Sequence, residues 1–218
     1  MTDPGAGLDA ERFTARVRAA YGANGRLAPP ALTGWDIFPF EGELLVKPLA
    51  DPVLPEPARQ GEDPAGCDCR DRPDEDYLWT DAHWRLGTLA EPAGVPAYLL
   101  MPREHYDLAD LPDSLAAELG VLTVRLDRIL SAVPGVGRVH VNKWGDGGAH
   151  LHVWFIARPA GVLQLRGSCL PDWMDVLPPL PQDEWDTLAG HLAQALAGYG
   201  GTAQVGDPAP PADRPAPG

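Results

Sequence analysis

Three cysteines in 218 residues are too few for a disulfide framework. Cys67, Cys69 and Cys169 fit a reducing compartment, and a cytoplasmic location is expected. Basic residues are also scarce: 17 Lys and Arg stand against 31 Asp and Glu, a formal charge of −14. Such a surface repels a phosphate backbone, so a nucleic-acid polymer is excluded as partner, although a small anionic ligand in a local pocket is not. No run of 18 apolar residues exists, so no membrane span is expected. The start, Met1-Thr-Asp-Pro-Gly, lacks the basic and apolar regions of a secretory signal. A secreted scaffold, a membrane protein and a histone-like binder are set aside together.

What is abundant is proline and glycine, 25 and 24 residues. Residues 203–218 form a Pro/Ala-rich tail that cannot bury enough surface to order itself, and disorder is expected there. Residues 51–66 read as loop, where proline's missing N–H costs no ladder or helix bond. The organisation expected is an N-terminal helical extension over 1–30, one domain over 31–202, and the tail.

Between the loops, apolar spacing predicts helices over Leu8–Tyr21, Leu111–Val133 and Pro181–Tyr199. The second carries Leu115, Leu119, Leu122, Leu126, Ile129, Leu130 and Val133 as one stripe. Strands are expected over Gly42–Leu49, Asp76–Thr80, Trp84–Leu89, Ala97–Arg103, Arg138–Trp144 and His150–Arg158. Strands interrupted by two long helices imply an α+β fold with a largely antiparallel sheet.

The last two strands hold the chemistry. Alternation puts His150, His152, Trp154, Ile156 and Arg158 on one face, and Leu151, Val153, Phe155 and Ala157 on the core face. The connection Gly145-Asp-Gly-Gly-Ala149 reads as a hairpin loop. Matching valines to the core selects a three-residue loop over Asp146–Gly148, which pairs Asn142 with His152 and Val141 with Val153. His140, Asn142, His150 and His152 then share a pocket. A lone histidine on a strand is usually just hydrogen-bonded, the leading expectation for His83, His140 and His191. Two at i, i+2 on a polar face point to function, because burying both without partners is costly. Two chemistries fit: attack of a neutral imidazole on phosphorus, or a His-x-His metal site of the oxygenase kind.

The stretch from Val139 to Pro159, VHVNKWGDGGAHLHVWFIARP, resembles the histidine-triad (HIT-like) superfamily, whose signature is alternating histidines after a glycine-rich hairpin with an upstream Asn. Ala97–His105, ending in Pro-Arg-Glu-His, is similar to that family's Pro-x-x-His strand, and a long helix follows it. The resemblance implies one HIT-like domain with a helix packed on the sheet. It implies a nucleotidyl hydrolase or transferase working through a covalent nucleotidyl-histidine, on a nucleoside phosphate or nucleotide sugar. His152 takes the place of the nucleophile, and Asn142 that of the phosphate-binding Asn. Gly147, Gly148, Ala149, His140 and Trp154 are the further expected ligand contacts. Trp154 departs from the pattern: it stands at the third histidine position, which the galactose-1-phosphate uridylyltransferase branch fills with Gln. A binding module without turnover is therefore the alternative. The resemblance further implies a structural zinc held by Cys67, Cys69, His105 and His150, although Cys-x-Cys is not the family's usual Cys-x-x-Cys. The partners expected are a nucleotide or sugar phosphate, and a second copy of the chain in a homodimer.

Overall fold

The Leu/Ile stripe between Leu115 and Val133 needs an apolar surface to cover, and the sheet beside it supplies one. The computed structural model describes residues 9–204. Its strands are β1 (Trp79–Thr80), β2 (Trp84–Thr88), β3 (Ala97–Pro102), β4 (Val136–Asn142), β5 (Val153–Pro159) and β6 (Thr202–Ala203). They form one sheet in the order β4-β5-β3-β2-β1-β6, with every pairing antiparallel. The helices are α1 (Ala10–Ala19), α2 (Asp68–Asp71), α3 (Asp113–Ala132), α4 (Leu170–Met174) and α5 (Gln182–Ala197). The fold is α+β, as the sequence implies.

α3 starts where Asp113 complements the helix dipole. It ends at Ala132, because Pro134 holds Val133 extended and Gly135 turns with φ +91°. Its Leu122, Leu126, Ile129 and Leu130 meet Leu192 and Leu196 of α5 over Leu86, Tyr98, Leu100, Val153 and Phe155 of the sheet. Each fully buried Leu contributes about 1.5–3 kcal/mol. Leu151, just ahead of β5, joins this core.

The opposite sheet face is covered in part, which the sequence did not suggest. Residues 163–177 fold back over it, and Leu165, Leu170, Trp173 and Leu177 pack on Ala97, Ile156 and Trp154. Ile156 and Arg158 are thus buried rather than open, and the Arg158 guanidinium donates to the nearby carbonyls of Pro159 and Val162.

Three further expectations are corrected. Residues 42–49 form no strand: Arg18 donates to the Leu49 carbonyl, Arg26 to the Val46 carbonyl, and the Leu49 N–H to the Tyr21 hydroxyl. The strand expected over Asp76–Thr80 is ordered as β-ladder only at Trp79–Thr80. The strand expected from His150 begins at Val153, so Asn142 pairs with Trp154 and Val141 with Phe155. The cause is a partner distant in sequence: the Leu151 N–H donates to the Tyr106 carbonyl at 2.7 Å, and residues 150–152 belong to the 102–106 segment instead of to β4. The shift is even, so Val153 and Phe155 keep the core face. The expected disorder of 203–218 falls outside the described residues from 205 onward. No described helix is long and apolar enough to cross a membrane.

Candidate functional site

His150 and His152 leave the sheet in different directions. His150 is buried, and its Nε2 donates to the Pro102 carbonyl at 2.8 Å. A carbonyl only accepts, so the proton sits on Nε2 and Nδ1 keeps its lone pair. That Nδ1 lies 3.3 Å from Cys67 Sγ. Burial, then the neighbouring His105 and His152, outweigh the Pro102 bond and hold the His150 pKa below the ordinary value, favouring the neutral ring.

The half-buried His152 repeats the logic with its nitrogens exchanged. Nδ1 donates to the His150 carbonyl at 3.0 Å, which leaves the lone pair of the neutral ring on Nε2. Its ring meets Trp154 edge-on at 6.3 Å, and Trp154 meets the exposed Trp144 at 5.8 Å. The Trp154 Nε1–H is buried with no partner among the described residues. Asn142, the last residue of β4, stands opposite Trp154 in the ladder. Gly148 abuts His152: a methyl built on it would lie 3.7 Å from His152 Cε1.

Two of the expected contacts have their own surroundings in the fold. The register places His140 opposite Ile156, four residues from His152 or about 13 Å along the strand. There burial, then the charge of Arg158, lowers its pKa, and it does not join the His152 pocket. The Ala149 N–H is already donated to the Gln60 carbonyl at 3.0 Å, so it is not a free donor. The N–H groups of Gly147 and Gly148 have no acceptor among the described residues.

On the other side of His150 the thiols converge. Cys67 Sγ, Cys69 Sγ and a His150 ring nitrogen all lie within 4.8 Å of one another, a set that could hold a metal ion. The His105 ring stands edge-on to His150 at 5.4 Å, and its buried Nδ1 has no partner among the described residues. Burial, then the charge of Cys67, pushes the Cys69 thiol up. The buried Arg85 fixes the turn carrying the thiols by donating to the carbonyls of Cys69 and Arg72. His152 is not part of this group.

Nothing in the residue pattern singles out Arg59, Gln60 or Asp107. Arg59 donates to Asp107 at 2.7 Å and to the Gly145 carbonyl at 3.0 Å, and Asp107 also pairs with Lys143 at 3.2 Å. Against a penalty from burial, Arg59, the Leu108 N–H and Lys143 hold the Asp107 carboxyl at about 2. No periodicity marks an arginine within a proline-rich loop, and only the folded chain brings it to residue 145. His83 is accounted for as a partnered histidine, 2.9 Å from Glu118, in a separate cleft of about 850 Å³.

No protein-family model matches the chain, and no curated protein matches it in sequence. Among solved structures it is similar to a histidine triad protein from Bradyrhizobium japonicum, with 22% identity and a TM-score of 0.46 over 55% of this chain and 88% of that one. A histidine triad protein from Marinobacter aquaeolei is similar at 19% identity and a TM-score of 0.46, over 56% of this chain and 88% of that one. A zinc-bound histidine triad family protein from Mycobacterium smegmatis is similar at 17% identity and a TM-score of 0.43, over 59% of this chain and 90% of that one.

Proposed function

We propose that the chain is a histidine-triad-type nucleotide-binding protein that transfers or hydrolyses a nucleotidyl group through a covalent intermediate on His152. One observation carries this reading: the His152 Nδ1 lies 3.0 Å from the His150 carbonyl, an acceptor only, so the neutral imidazole carries its lone pair on Nε2. Such a nitrogen attacks phosphorus without an auxiliary base, because there is no proton to remove. The Nε2–P bond forms as the bond from phosphorus to the leaving oxygen breaks and takes its electron pair. Water or an acceptor hydroxyl then displaces the nucleotidyl group and releases the imidazole. Asn142 and the unused backbone donors of the glycine loop stabilise the charge growing on the phosphoryl oxygens.

The Cys67, Cys69 and His150 group fits zinc, and His105, whose ring stands beside His150 and whose buried Nδ1 has no partner among the described residues, would supply the fourth ligand that a structural site needs. Such an ion supplies structure, fixing the His150 ring whose carbonyl orients His152. The Nε2–H bond to Pro102 is the outer support that a metal-ligating histidine uses.

A second reading has one observation in its favour. Trp154 places a bulky indole, with no basic nitrogen, beside His152, and a site so filled could bind nucleotide without turnover. Incubation with a dinucleoside polyphosphate, a nucleotide sugar and a nucleoside monophosphate ester separates the two. Product formation that disappears in His152→Ala is expected. Saturable binding of all three without product would establish the binding module instead.

A further inference from the structure

Residues 59–62, read from sequence only as loop, run as a strap beside the glycine-rich connection and grip it on both sides of Gly148. The Gln60 N–H donates to the Gly147 carbonyl at 3.2 Å, and the Gln60 carbonyl accepts from the Ala149 N–H at 3.0 Å, a parallel bridge between Gln60 and Gly148. Arg59 adds the side-chain bonds to Gly145 and Asp107, and is itself steadied by Glu62 at 2.7 Å. The Gln60 amide donates to Asp68 of α2, the short helix that carries Cys69, at 2.9 Å.

This bridge fixes where one peptide points. In a trans peptide the carbonyl and the following N–H are antiparallel. With the Gly147 carbonyl turned to the strap, the Gly148 N–H is turned away from it. No described residue accepts that N–H, and Gly148 is the loop residue lying against His152 Cε1.

We infer that the strap presets the Gly147–Gly148 peptide so that the Gly148 N–H is the loop's donor to the phosphoryl oxygen when His152 attacks, with Gln60 and Arg59 as positioning residues. The inference rests on the nucleotidyl-transfer reading and narrows it from a loop to one atom. A glycine-rich loop left free would have to be ordered at each turnover. A donor held in place beforehand meets the developing charge without reorganisation, which is where such donors have their largest effect.

Backbone amide exchange by NMR on the full chain, with AMP and UMP as phosphate-bearing probes, tests the geometry. In the free protein the Ala149 and Gln60 amides should exchange slowly and the Gly148 amide fast. Addition of AMP or UMP should protect and shift Gly148 and leave Ala149 unchanged. Kinetics test the positioning role. Gln60→Pro deletes the donor to Gly147, whereas Gln60→Ala keeps both backbone bonds. Gln60→Pro should slow adduct formation about tenfold or more at nearly constant KM, and Gln60→Ala should stay near wild type. If Gln60→Pro does not fold, Arg59→Met, which loses the bonds to Gly145 and Asp107, should lower kcat with KM again nearly constant. Gly148 and Ala149 amides that exchange alike, or a probe response at Gly147 or Ala149 in place of Gly148, would overturn the inference even with the His152 adduct intact. Loss of both the adduct and the probe response would bring down the underlying reading as well.

Discussion

At the scale of single residues, the acceptor-only character of a carbonyl oxygen sorts the two histidines. Pro102 takes the Nε2 proton of His150 and turns its Nδ1 to the thiols, whereas the His150 carbonyl takes the Nδ1 proton of His152 and frees its Nε2. One pair of adjacent imidazoles thus serves two chemistries, and neither needs a carboxylate. In the proposed mechanism Asn142 donates to charge that appears only during transfer. Asn142→Ala should therefore slow adduct formation by about a hundredfold or more while leaving the thermal melt near wild type, measured by rapid acid quench. Asp107 offers a check on the loop's support. Its carboxyl, ordinarily near 3.8, is held at about 2 in the fold by Arg59, Leu108 and Lys143 against the burial penalty. A lowered folded-state pKa stabilises fully above the unfolded value and is lost as pH falls through the folded one. Asp107→Asn should lower the melting temperature equally at pH 7 and pH 5, with the gap closing only toward about pH 2. A gap that closes already between pH 6 and pH 5 would contradict the ion-pair account.

At the scale of elements, what could be read from sequence was what periodicity encodes. The α3 stripe is Leu122, Leu126, Ile129 and Leu130 in both the pattern and the core, and the valine face of β5 is correct because an even slip preserves it. Leu126→Ala, at a position with no exposed surface, should cost about 2–5 kcal/mol in a denaturant titration. A loss under 1 kcal/mol would mean that α3 does not seal this core. Periodicity failed where a non-local partner decides. Residues 150–152 alternate like a strand, yet Tyr106 takes the Leu151 N–H and Pro102 takes the His150 ring, which moves the ladder two residues along and leaves His140 too far from His152. The strap was unreadable for a similar reason: Gln60 pairs through its main chain, which side-chain identity does not report. The Cys67, Cys69, His105 and His150 cluster was readable because its residue types are chemically conspicuous, even though 83 residues separate Cys67 from His150.

At the scale of the whole molecule, a chain of net charge −14 has little long-range attraction for phosphate, so the proposed nucleotide would have to be held by donors gathered at one place. The thiol cluster, the strap and the glycine loop meet around residues 145–152 and give that place its rigidity. If the cluster holds zinc, the purified protein should carry about one equivalent per chain by elemental analysis, and chelation should lower its melting temperature, since ligand assembly and folding are coupled. A metal-free preparation with a melt indifferent to chelator would remove the ion and leave the thiols as buried loop residues. The nucleotidyl-histidine itself is open to direct observation. Protein mixed for milliseconds with a dinucleoside polyphosphate or a nucleotide sugar, quenched under conditions that preserve phosphoramidates and digested, should yield one peptide heavier by a nucleoside monophosphate, with the added mass on His152. The same mass on another residue, or an adduct that persists in His152→Ala, would contradict the account.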